Sequence, residues 1–81
     1  GLPSRQEVLQ IVDKCWTGIS AKDSIERTTL HYLNGKLSID LYLPLSLLED
    51  LGDNAASNLE TKFNQAVEKE DYILAVRLFY R

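Results

Sequence analysis

Eighty-one residues are enough for one small domain and too few for two packed cores. Nine basic against twelve acidic residues give a net charge of −3 with no basic run, which argues against a nucleic-acid partner, because phosphate contacts require a cationic surface. Hydrophobic residues make up 44% and recur periodically, which excludes disorder; no apolar run approaches the roughly 18 residues of a membrane span.

At the N-terminus, Ser4-Arg5-Gln6-Glu7 has the form of a capping box, in which a hydroxyl and a carboxylate each satisfy a free amide of the other residue. Val8, Leu9, Ile11, Val12, Cys15 and Trp16 follow at helical spacing, and Gly18 can close the helix. A first helix is therefore predicted over residues 4–16, with Trp16 anchoring it to a sheet. Cys15 is the only cysteine, so no intrachain disulfide is possible and a reducing compartment is expected. Its place in the apolar pattern, with no neighbouring His and no Cys-x-x-Cys motif, predicts a buried structural thiol.

A short polar link over residues 20–24 leads to a segment rich in β-branched and aromatic residues, 25–33, which reads as a strand. Asn34-Gly35 is a strong signal for a two-residue hairpin turn, since both residues tolerate positive φ. The second strand, residues 36–43, alternates: Leu37, Ile39, Leu41 and Leu43 face one way, and Lys36, Ser38, Asp40 and Tyr42 the other. Pro44 ends it for want of an amide donor. A short helical turn is expected at 46–49 and a new start at Gly52-Asp53-Asn54. Ala55, Leu59, Phe63, Ala66 and Val67 then form the apolar stripe of a second helix over about 54–69. Residues 72–80 read as a third strand, with Ile73, Ala75, Arg77 and Phe79 on one side and Tyr72, Leu74, Val76, Leu78 and Tyr80 on the other.

The predicted order is α-β-β-α-β in a single α+β domain over residues 1–81. The hairpin makes strands one and two antiparallel, and the helical crossover makes strands two and three parallel. Two helices then cover one face of a three-stranded mixed sheet, with strand two central. The other face is left uncovered and partly apolar, which suggests a partner surface.

No catalytic constellation is legible. His31, the only histidine, stands on a strand without a Ser or Cys partner motif, and the glycines form no phosphate-cradling loop. Glu49, Asp50 and Asp53 cluster after strand two, but without the spacing of a calcium loop they read as helix caps and solvated charges. Asp40, mid-strand among apolar neighbours, reads either as a solvent-facing residue or as a site ligand.

The capped helix, the Trp16-Thr17-Gly18-Ile19-Ser20 turn, Asp23 before the first strand, the Lys36–Leu43 strand, the long helix and the Val76-Arg77-Leu78-Phe79-Tyr80 strand together resemble the C-terminal cytoplasmic domain of cation diffusion facilitator transporters. The resemblance runs from about Ser4 to Tyr80. It implies a ferredoxin-like or metallochaperone-like domain on the cytoplasmic side of the membrane, following a transmembrane domain of the same chain. It also implies a homodimer that binds a regulatory divalent cation such as zinc, while the membrane part exports metal by proton exchange. Carried onto this sequence, the family's ligand positions fall on Asp23, beside Lys22 where the family has a histidine, and on Asp40, again in place of a histidine. Nothing equivalent to the family's third ligand stands at residues 78–80, and His31 is the remaining candidate. The lack of any methionine likewise predicts a piece of a longer protein. The alternative is a stand-alone ferredoxin-like module that binds a ligand or a protein, with no transporter.

Overall fold

The computed structural model describes residues 3–81, the side chain of Asp53 excepted, so that member of the acidic trio lies outside the described groups. Helix α1 (Arg5–Cys15) begins where the capping box predicts, with Ser4 Oγ accepting the Glu7 amide at 3.3 Å. A 3-10 helix (Ser20–Ser24) fills the expected link. Strands β1 (Arg27–Leu33) and β2 (Lys36–Leu43) form the hairpin, and Asn34 and Gly35 take φ of 50° and 76°, as a type I′ turn requires. Helix α2 (Leu45–Ala66) and strand β3 (Ile73–Tyr80) complete the order.

The sheet runs β1-β2-β3, with β2 antiparallel to β1 and parallel to β3. Both helices lie on one face, where Val8 and Val12 of α1 and Leu59 and Phe63 of α2 pack with Leu37, Ile39 and Leu41 of β2 and Val76 of β3. Each large apolar side chain buried here contributes about 1.5–3 kcal/mol. The α+β class and the arrangement of its elements are thus those expected from the sequence.

Several local expectations give way to tertiary packing. The helical turn predicted at 46–49 and the later helix join into α2, which kinks at Gly52, where φ is 77° and ψ is 168°. Helix α2 stops at Ala66 rather than near residue 69, because Val67 leaves helical geometry and its amide bonds to Asn64 O. Trp16 does not anchor α1 to the sheet alone. Its ring meets Phe63 of α2 edge-on at 5.0 Å, and its Nε1 donates to Phe63 O at 3.4 Å, a carbonyl in the last turn of that helix. Cys15 is half-buried rather than fully enclosed.

Strand β3 departs most from simple alternation. Leu37 pairs with Ile73 but Ser38 pairs with Ala75, so Leu74 is an extra, bulged residue and is 67% exposed. Ile73 therefore joins Val76 and Leu78 on the helix side, while Ala75, Arg77 and Phe79 face outward. The outward side of β3 therefore consists of Ala75, Arg77 and Phe79, without Ile73.

The two sheet edges are treated differently. At the β3 edge, Asn64 of α2 accepts from Val76 N and donates to Val76 O, both at 2.9 Å, and Glu60 accepts from Leu78 N at 3.1 Å. These side chains occupy the groups that a further strand would need. At the β1 edge, the two-residue turn directs the main chain of Thr28, Leu30 and Tyr32 outward. Arg5 reaches Thr28 O at 2.9 Å, and beyond that point the described residues supply no partner to the main chain of Leu30 or Tyr32.

Candidate functional site

The register assigns the uncovered face residue by residue. Arg27, Thr29, His31 and Leu33 of β1 stand opposite Tyr42, Asp40, Ser38 and Lys36 of β2, and Ala75, Arg77 and Phe79 of β3 complete the layer. Asp40 is its centre. The Asp40 side chain is only 6% exposed, yet both of its oxygens are engaged. Arg77 Nε donates to Oδ1 at 2.9 Å and a terminal Arg77 nitrogen to Oδ2 at 3.2 Å, a two-pronged grip, while His31 Nε2 lies 2.8 Å from Oδ2. Burial by itself would raise the Asp40 pKa; the hydrogen bonds from Arg77 and His31, with the attraction of both groups, outweigh it and hold the carboxyl below its ordinary value. Asp40 is thus an ionised carboxylate at neutral pH, with both oxygens hydrogen-bonded.

The charge network continues into an aromatic stack. Arg77 lies 5.6 Å above the centre of the Phe79 ring, Phe79 stacks on Tyr42 at 5.4 Å, and Arg81 covers Tyr42 at 4.6 Å. Six side chains, His31-Asp40-Arg77-Phe79-Tyr42-Arg81, therefore form one continuous row across the strands. Two guanidinium groups are fixed in orientation by cation–π contact, and Arg77 keeps 55% of its side chain exposed.

Of the metal-ligand candidates, the structure brings His31 and Asp40 together and leaves Asp23 apart. Asp23 sits on the 3-10 helix, which borders α2 on the covered side of the sheet, and Lys22 beside it pairs with Asp13 at 3.2 Å. A zinc ion at Asp40 and His31 would have to displace Arg77 from the same oxygens and sit beside its positive charge. The donor set does not fit a divalent cation, and among the described residues no three His, Cys, Asp or Glu side chains gather as one. Glu49 and Asp50 are exposed on α2, as solvated charges should be.

Asp40 accepts three hydrogen bonds, one on Oδ1 and two on Oδ2, and is thereby held from both neighbouring strands. Sequence reasoning found Asp40 and His31 but not Arg77, Tyr42, Phe79 or Arg81. Parallel pairing of β2 with β3 places Arg77 opposite Asp40, a match of opposite charges that was available once the strand register was known. Compared with protein-family models, with curated proteins and with solved structures, the chain matches none.

Proposed function

We propose that this chain is the cytosolic dimerisation domain of a divalent-cation efflux transporter, acting as a scaffold rather than as a metal sensor at Asp40. The observation that carries the dimer is the unequal treatment of the sheet edges. Asn64 and Glu60 close the β3 edge, while Leu30 and Tyr32 keep an open β1 edge beside the exposed side chains of Tyr32 and Leu33, 45% and 62% accessible. One open edge in a small sheet permits pairing with a second copy and no further growth, which gives a closed two-fold dimer. The transporter assignment draws on the resemblance of Ser4 to Tyr80 to that family's cytosolic domain. In that reading zinc or a similar ion is the cargo of a proton-coupled membrane portion elsewhere in the chain. No helix among the described residues is long and apolar enough to cross a membrane.

Sedimentation equilibrium on the 81-residue chain, with and without zinc, tests the dimer. A concentration-dependent dimer is expected that zinc leaves unchanged and that Tyr32→Pro abolishes, since proline removes an outward donor without removing a bond to β2. Monomers persisting at high concentration under both conditions defeat the reading. Six apolar spans preceding this segment in the complete gene are expected; a wholly water-soluble preceding region sinks the transporter and leaves a stand-alone protein-binding module.

A further inference from the structure

We infer that the uncovered sheet face docks an acidic segment of a partner polypeptide, whose carboxylates are received by Arg27, Arg77 and Arg81. This goes beyond the dimer, which uses an edge and leaves the face open.

The first support is charge segregation. With Arg81, the outward side chains of the sheet include four of the nine basic residues, Arg27, Lys36, Arg77 and Arg81, but one of the twelve acidic ones, Asp40. The sheet face is cationic while the chain as a whole is anionic at −3. Such separation steers an oppositely charged partner to one surface and repels it elsewhere.

The second support is the stack itself. Each ring of the stacked Tyr42–Phe79 pair already has a guanidinium over it, Arg81 on Tyr42 and Arg77 on Phe79, so a nucleobase would compete with a cation for the rings. Arg81, exposed over the Tyr42 ring, and the Arg77 donors not engaged by Asp40 are guanidinium groups able to receive carboxylates. Because the rings already hold Arg77 and Arg81, little side-chain freedom remains to be lost when a ligand binds.

The third support is exclusion of the symmetric alternative. Two copies meeting face to face would bring two surfaces together that each carry Arg27, Lys36, Arg77 and Arg81 against the one carboxylate of Asp40, an excess of like charge. A face so built is complementary to acid, not to itself.

The test is chemical-shift mapping and calorimetric titration of the 81-residue chain with a capped octapeptide of glutamates. Shifts are expected in the amides of Arg27, Tyr42, Phe79 and Arg81, with binding that weakens as salt rises. The variants Arg27→Glu and Arg81→Glu, at exposed positions outside the core, are each expected to weaken binding about tenfold, the scale of one lost charge-assisted hydrogen bond. The dimer measured by sedimentation is expected to survive both variants, so failure of docking and failure of dimerisation are read separately. Shifts confined to the helical side, or no titration at millimolar peptide, overturn the inference. So does tighter binding of the same face to a single-stranded oligonucleotide or to phosphatidylserine vesicles of matched charge. Loss of self-association in Arg81→Glu also overturns it, by assigning the face to a second copy.

Discussion

Strand β2 belongs to two surfaces that differ in kind. Toward the helices it presents Leu37, Ile39, Leu41 and Leu43, all fully buried among other apolar side chains. Toward the open side it presents Ser38, Asp40 and Tyr42, each defined by specific neighbours. The covered surface is held by area, so that any well-fitting hydrophobe serves nearly as well. The open surface is held by pairing, so that each member depends on the identity of the next. A strand this short can serve both the fold and a recognition surface because its two faces obey different rules.

The sharpest break between them is expected from Phe63→Ala. This removes the largest fully buried side chain and the ring against which Trp16 packs, at a cost of about 3–5 kcal/mol. Urea denaturation measures it, and for a domain of this size most of the folded population is at stake. Next comes Arg77→Ala, which leaves Asp40 buried with His31 as its one remaining side-chain partner and is expected to cost about 1–3 kcal/mol. Arg77→Lys should restore part of this, since a lysine supplies the charge but not the two-pronged grip.

Acid titration sharpens the same contrast with a smaller effect. The folded pKa of Asp40 lies below its ordinary 3.8, so its ionisation stabilises the fold fully above the unfolded value, and the contribution disappears as pH falls through the folded value. The stability difference between the native chain and Asp40→Asn should therefore be level above about pH 5 and shrink below about pH 4. The difference between the native chain and Phe63→Ala should show no such dependence. Smallest of all is Tyr80→Phe. The Tyr80 hydroxyl is buried without a hydrogen-bond partner among the described residues, and burial, followed by the nearby Glu60 charge, raises its pKa. Removing it should change stability by less than about 1 kcal/mol, toward greater stability, as thermal melting can show.

What the sequence makes legible divides along the same line. The hairpin is readable because Asn34-Gly35 and the alternation of Lys36–Leu43 are local signals that agree with the sheet they build. The cap of α1 is local in the same sense. The partners of Asp40 are not, since His31 and Arg77 reach it from two other strands, 9 and 37 residues away. Nor is the closure of the β3 edge: Glu60 reads as a solvent-facing helix residue until the strand it meets is in place. The resemblance that brought Asp23 into the ligand set likewise compares positions along a chain, whereas a metal site depends on which side of the sheet each position occupies.

The bulge at Leu74 has a consequence for how such a chain can vary. Ile73 faces the helices, and uninterrupted alternation from it would turn Arg77 and Phe79 into the core and Val76 and Leu78 out to solvent. One additional residue reverses that phase for the rest of the strand. The bulge at position 74 thus absorbs one residue of length without disturbing which side chains face the helices. The side chain of Leu74, largely exposed, is replaceable by almost anything, and deleting the residue would leave Ile73 and Ala75 in plain alternation, with every later residue of β3 on the side it now occupies.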